Sequence, residues 1–352
     1  MSLASLLEFS GLPYTPPHSA GYTASVPGKK QFEQQIAQLD ALRQAPPESR
    51  PEPLRKALAS KHNFIAAKAA DLVREFNLQD LTPDLLKTFD RLFEHPEKSD
   101  PQCWAKNAIS RALAIFEVQD PDVFLKGMHH IQMEPVWGGR SDTAGTLRAT
   151  SALALVQCRR LAEPELLAHL IELFADKDKA VRAEVVRAID QVGSPTASLL
   201  LRLRAVLGND EPEVLGACYS GVLQIEGVSA IPRIAVFLAT ADDAAGEAAL
   251  AIAGTHSQEG FDALRVALDS SSDQWFRSVL LHAIALTRQD AAIEFLLGLV
   301  QTESLNAEGA IEAILRSAPS EDVTQRLRTL TSANPRLAHV FTEYQQPHSR
   351  FG

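Results

Sequence analysis

Asp178-Lys179-Ala180-Val181-Arg182-Ala183-Glu184-Val185-Val186-Arg187-Ala188-Ile189, closed by Gly193 and followed by Ser194-Pro195, decides how this chain is built. Val181, Val185 and Ile189 recur every four residues, which places them on one face of a helix. Gly193 follows the apolar run where a helix stops. Ser194-Pro195 then opens a second helix, with a capping serine and a proline at the first helical position, where its missing N–H costs nothing. The unit is therefore a helix, a turn and a helix.

The same unit recurs on both sides. A small residue followed by an aliphatic one returns in register at Ala154-Leu155, Ala188-Ile189, Gly221-Val222, Ala251-Ile252, Ala283-Ile284 and Ala313-Ile314. The steps are 34, 33, 30, 32 and 30 residues. Self-similarity at such a period marks a stacked helical array. Second helices are expected near Pro164, Pro195, Ser229, Gln258, Asp290 and Glu321. The chain has 352 residues, more than one compact core usually serves. A solenoid escapes that limit because each repeat buries its face only against its neighbours. Hydrophobic residues make up 45% and aromatics 6%, a composition suited to thin helix-on-helix layers, and alternating strand patterns are missing. The expected fold is all-α, a right-handed α-solenoid of stacked helix pairs.

Residues 1–30, with Pro13, Pro16, Pro17 and Pro27, read as an extended arm, either disordered or laid across the solenoid. Phe32, Ile36, Leu39 and Leu42 make a short helix ended by Ala45-Pro46-Pro47, and a proline-rich connector runs through Pro53. About eight helix pairs then span 54–340, most regular over 141–333, with a tail at 341–352. In the looser first units, Ala57, Phe64, Ala67, Ala70, Leu72 and Val73 suggest a single helix, with Leu85, Phe89 and Leu92 on its partner. Trp104 to Phe116 and Val123 to Ile131 suggest the next pair.

The net charge is −10, unevenly spread. No lysine follows Lys179, and from Asn209 to Val323 there are 18 Asp and Glu against 5 Arg. Asp210, Asp242 and Asp273 sit where helix N-caps belong. The remaining acidity disfavours nucleic acid, which needs a cationic surface, and favours a basic partner. Cys103, Cys158 and Cys218 are an odd number without a CxxC spacing, so buried free thiols are expected. Neither a signal peptide nor a run of 18 apolar residues is read here, which points to the cytoplasm.

The pattern Asp178-x-x-Val181-Arg182-x-x-x-Val186-x-Ala188-Ile189-x-x-x-Gly193 resembles the HEAT repeat, in the short form of phycobilisome-lyase-type HEAT-like proteins. The resemblance implies that the aspartate caps the first helix and that the arginine braces adjacent repeats. The arginine column is filled at Arg148, Arg182 and Arg277, but holds Leu215, Ala245 and Ala307 in the other units. The motif is nearly silent on activity, but a curved stack offers a long concave surface, so a non-catalytic scaffold binding a protein or peptide there is the expected function. The alternatives are a lyase-like or protein-modifying accessory enzyme and, further off, a nucleic-acid-binding array. A glycosylase subfamily of helical-repeat proteins uses a cationic groove, whereas Trp275 and Arg277 stand in acidic surroundings.

His129-His130 and Glu134 suggest an i, i+4 pair on one helical turn, too few ligands for a metal site without a second pair. No His-Glu dipeptide of the kind used by a di-iron HEAT-type subfamily is present. Glu134 to Gly145 breaks the rhythm, stretching the step from Ala112 to Ala154 to 42 residues. Trp137 beside Gly138-Gly139 and Arg140 fits either an interaction loop or a plug between helix pairs. Gly138-Gly139 lacks phosphate-loop spacing and no strand is expected before it. The expected binding residues are Trp137, Arg140, Asp142, Arg148, Arg182, Trp275 and Arg277, with no catalytic residue, metal or cofactor.

Overall fold

A computed structural model describes residues 27–345. Of the described residues, 75% are helical and 3% lie in strands, so the fold is mostly helical. Residues 1–26 of the expected arm lie outside the described residues. The chain forms two compact units, one up to Ala188 and one from Ile189 onward.

The first unit comprises α1 (Pro27–Ala41), α2 (Pro51–Leu58), α3 (Asn63–Glu75), α4 (Thr82–Leu92), α5 (Trp104–Ile115) and α6 (Pro121–Met128). A hairpin of β1 (Met133–Val136) and β2 (Gly139–Asp142) follows, then α7 (Gly145–Leu155), α8 (Glu163–Glu172) and most of α9 (Lys179–Val192). α3, α5 and α7 pack on one another in succession, and α2, α4 and α6 pack on them as second helices. Small residues permit this approach: Ala105, Ala108 and Ala112 of α5 and Ser151, Ala152 and Ala154 of α7 are buried. Gly127 of α6 lies so close to α7 that any Cβ there would run into Ser151.

The single helix expected over 57–73 is in fact two, broken after Leu58. The carbonyls freed by the break have partners on α4. Thr88 Oγ1 donates to Leu58 O (3.3 Å), and Arg91 Nη2 donates to Leu58 O (3.2 Å) and Ser60 O (3.0 Å). A tertiary donor thus outweighs local helix propensity.

The second unit comprises the end of α9, α10 (Pro195–Leu207), α11 (Pro212–Glu226), α12 (Ile231–Ala235), α13 (Asp243–Ala253), α14 (Gln258–Ser270) and α15 (Gln274–Leu286). α16 (Asp290–Gln301), α17 (Ala307–Arg316), α18 (Glu321–Thr331) and α19 (Pro335–Gln345) complete it. α11, α13, α15, α17 and α19 pack in succession as first helices. α10 packs on α11, α14 on α13 and α15, α16 on α17, and α18 on α19. All six small-aliphatic pairs lie on first helices, and their aliphatic members are buried. Each buried aliphatic side chain contributes about 1.5–3 kcal/mol. α19 extends into the expected tail, where Phe341 is buried.

Side-chain caps set the helix starts. Ser194 accepts from Ala197 N (3.1 Å), Asp242 from Ala245 N (2.9 Å), Ser257 from Gly260 N (3.0 Å) and Asp273 from Phe276 N (2.7 Å). Asp210 departs from that reading: it pairs with Arg204, whose Nε lies 3.0 Å away, and the cap position of α11 falls to Glu211. Pro212–Thr240 is long and apolar enough to cross a membrane by length and composition, contrary to expectation. The stretch is not one rod, because Gly227 (φ +69°) breaks it after α11, and α11 is packed against α10 and α13.

Asp190, near the end of α9, has a buried Oδ1 without a hydrogen-bond partner. Burial pushes its carboxyl up to about 6. An acid whose folded value exceeds its unfolded value of about 3.9 binds its proton more tightly when folded, so its contribution to stability falls as pH rises between the two. Asp190→Asn is therefore expected to match the parent chain near pH 4 and to exceed it by about 1 kcal/mol at pH 8, a value discounted for partial exposure. Urea midpoints of both proteins across that range test this, and a pH-independent difference would refute it.

Candidate functional site

The break in the repeat rhythm is a two-stranded hairpin. Its register pairs Met133 with Asp142, Glu134 with Ser141, Pro135 with Arg140 and Val136 with Gly139. Trp137-Gly138 forms the turn, with Gly138 at φ +90°, a conformation open to glycine. A strand thus does precede Gly138-Gly139, against expectation, although phosphate-loop spacing is still missing. Trp137 is wholly exposed (104%) at the tip. At about 3.3 Å per residue, the tip stands roughly 13 Å from the hairpin base.

An isolated two-stranded hairpin is marginal in water, and polar anchors at its base secure this one. Glu134 Oε1 accepts from Gln102 N (2.7 Å), Thr143 Oγ1 (2.9 Å) and Gln132 Nε2. Asp142 Oδ1 accepts from Gln132 N and Ala144 N, both at 3.0 Å. Arg140 donates to Glu97 (2.9 Å) and to the carbonyl of Met133.

Arg148, on α7, is 5% exposed. Its Nη1 donates to Asp142 (2.6 Å) and His130 O (3.0 Å), while Nε and Nη2 grip Asp176 at 2.6 and 3.1 Å. Burial opposes ionisation of Asp142, but the Gln132 and Ala144 amides and Arg148 outweigh it and hold the carboxyl below its ordinary range. Arg182 donates to the carbonyls of Asp176 (2.7 Å) and Lys177 (3.2 Å). Asp142, Arg148 and Arg182 therefore converge on the Asp176 loop, while Trp137 stands at the far end of the hairpin.

Beneath the hairpin lies a buried polar cluster that the sequence reading did not select. Lys106 and Asp100 are fully buried (0%) and their charged groups are 3.4 Å apart. Lys106 Nζ donates to Gln132 Oε1 (3.0 Å), which also accepts from Cys103 Sγ (3.3 Å) and lies 3.0 Å from His130 Nε2. Gln102 and Cys103 have positive φ of 60° and 55°. Burial pushes the Cys103 thiol up to about 12 and pushes His130 down. The thiol thus stays protonated at neutral pH, and the lysine is spent on internal partners. One sequence signal existed: Lys106 shares a stripe with Ile109 and Leu113, both buried.

The expected His130–Glu134 pair does not form, because α6 ends at Met128 and Glu134 lies on β1. Cys103, Cys158 and Cys218 are all buried and unpaired.

In the second unit, Arg277 donates to Leu268 O (2.8 Å), Ser271 O (2.5 Å) and Asn306 Oδ1 (3.3 Å). It thereby joins the end of α14 to the start of α17. Trp275 is half exposed. Nearby, α12 and α14 enclose a groove of 820 Å³. Ile231, Leu238 and Phe276 are its buried apolar lining, Val228 and Val266 its exposed flanks, and Glu259 and Asp262 add carboxylates. On α10, Leu199, Leu203, Val206 and Leu207 are each more than half exposed. No family model and no curated protein matches this chain. The exposed apolar side chains of this unit lie on α10 and along the groove, where Glu259 and Asp262 of α14 supply the carboxylates.

Proposed function

We propose that the helix pairs form a right-handed α-solenoid of HEAT type, and that the chain is a non-catalytic scaffold. It binds a protein or peptide along the face of its second helices, the concave side of such a stack. Successive packing of first helices and the arginine braces at Arg148, Arg182 and Arg277 support the architecture. Three unpaired buried thiols suit a reducing cytoplasm.

The observation that carries the binding role is the apolar groove flanked by Val266 (64% exposed) beside the Glu259 and Asp262 carboxylates. Contiguous exposed apolar surface marks interaction sites, and this geometry fits an amphipathic helix whose apolar face is flanked by basic residues. Aliphatic anchors fill the groove and flanking lysines meet the carboxylates.

A labelled Leu/Lys amphipathic helix and its Leu/Glu counterpart, compared by fluorescence anisotropy, test the reading. The Leu/Lys peptide is expected to bind selectively, and Val266→Asp to weaken it at least tenfold. That loss would occur although the variant adds negative charge, so general attraction cannot produce it. Equal binding of both peptides, or an unaffected Val266→Asp, overturns the reading. A second contact point is favoured by Trp137, because a rigidly based, wholly exposed tryptophan is a common binding anchor.

A further inference from the structure

The end of α6 and one face of α8 bring together three side chains able to ligate a metal. His129 follows α6 directly, and His169 and Glu172 are three residues apart on α8, hence on one face. One ligand atom from each lies within 4.8 Å of the other two. His129 Nε2 and Glu172 Oε2 are 3.1 Å apart. The two imidazole rings meet edge to face with centroids 6.3 Å apart.

We propose that His129, His169 and Glu172 form a site for a divalent transition metal, with Zn2+ the best match. Two imidazole nitrogens and one carboxylate oxygen are a borderline donor set, suited to Zn2+ and its neighbours rather than to Ca2+ or Mg2+. Bonds of about 2.0–2.1 Å to a tetrahedral ion put its ligands roughly 3.3 Å apart. The His129–Glu172 distance of 3.1 Å is close to that, and the remaining ligand separations, all within 4.8 Å, must shorten for the ion to be gripped. Three protein ligands leave a fourth position for water or an external donor.

The His129 side of the site is anchored. His130, next to His129, is held by its carbonyl to Arg148 (3.0 Å) and by its ring to Gln132 (3.0 Å). A bound ion would clip α6 to α8, two second helices of successive pairs in the first unit. The ligands are half-exposed or exposed, so the fourth position faces solvent. The site is independent of the acidic groove, and its failure would leave the peptide reading untouched.

The full chain, stripped with a chelator, is titrated with ZnCl2 by calorimetry and with CoCl2 in the visible range. One equivalent of Zn2+ is expected to bind, and Co2+ to give the intense visible band of tetrahedral coordination. His129→Ala, His169→Ala and Glu172→Gln should each weaken Zn2+ at least tenfold and diminish the Co2+ band. Their metal-free melting temperatures should match the parent, which separates lost ligation from lost fold. No stoichiometric Zn2+ binding, or binding that survives in the triple variant, overturns the site. Displacement of Zn2+ by equimolar Ca2+ overturns the assigned metal class.

Discussion

Arg148→Ala is expected to lower stability by about 3–5 kcal/mol, the cost of removing one partner from a buried ionic cluster. The guanidinium is surrounded by the Asp176 carboxylate, 8% exposed, the Asp142 carboxylate, 26% exposed, and the carbonyl of His130. Deleting it strands two carboxylates and a carbonyl together, so the loss exceeds that of any single hydrogen bond. Arg148→Lys should recover only part of it, because an ammonium cannot reproduce the two-pronged grip on Asp176. Urea unfolding of the three proteins measures the effect, and a loss below about 1 kcal/mol for Arg148→Ala would show that the cluster is not a stabilising lock. The loosening should spread to the hairpin base, where Asp142 holds the amides of Gln132 and Ala144.

Lys106→Met is the second large effect, about 3 kcal/mol or more. Methionine fills much of the same volume but leaves the Asp100 carboxylate without its cation. Asp100 keeps Asn63 Nδ2 (3.0 Å) and the amides of Ala105 (3.0 Å) and Lys106 (2.9 Å), which places the loss toward the lower end of the usual range. Adding Asp100→Asn should return part of it, since the unpaired charge then disappears. Denaturant midpoints for both single variants and the pair give the coupling. Additive losses would mean that the two charges do not stabilise each other.

The repeat register was legible because small-aliphatic dipeptides, capping Ser194, Asp242 and Asp273, and four-residue apolar spacing all point to the same helices. Local chemistry and packing agree there. Legibility failed where a distant side chain decides the backbone. The break after Leu58 depends on Arg91 and Thr88, 30 or more residues away. The end of α6 similarly leaves His130 O to Arg148, which moves Glu134 off the helical turn assumed for it. The hairpin has no alternating apolar pattern, since its strands read Met-Glu-Pro-Val and Gly-Arg-Ser-Asp. Its stability comes from Glu134 and Asp142 reaching outside the strands. Trp137 and Arg140 stand out in the sequence, whereas nothing local ties Asp100 and Gln132 to Lys106, whose one signal is its place on the Ile109–Leu113 stripe. No local pattern marks the apolar groove, because Val228 and Val266, 38 residues apart, meet only in the fold.

The hairpin tip also has a practical meaning. Nothing lies within 4 Å of where side chains at Gly138 and Gly139 would begin, and apart from the Arg140–Glu97 pair the anchors of the strands lie toward the opposite end. The chain between Val136 and Gly139 is therefore a natural insertion port. Foreign sequence spliced there would hang clear of the helices while both of its ends stay clamped to the first unit.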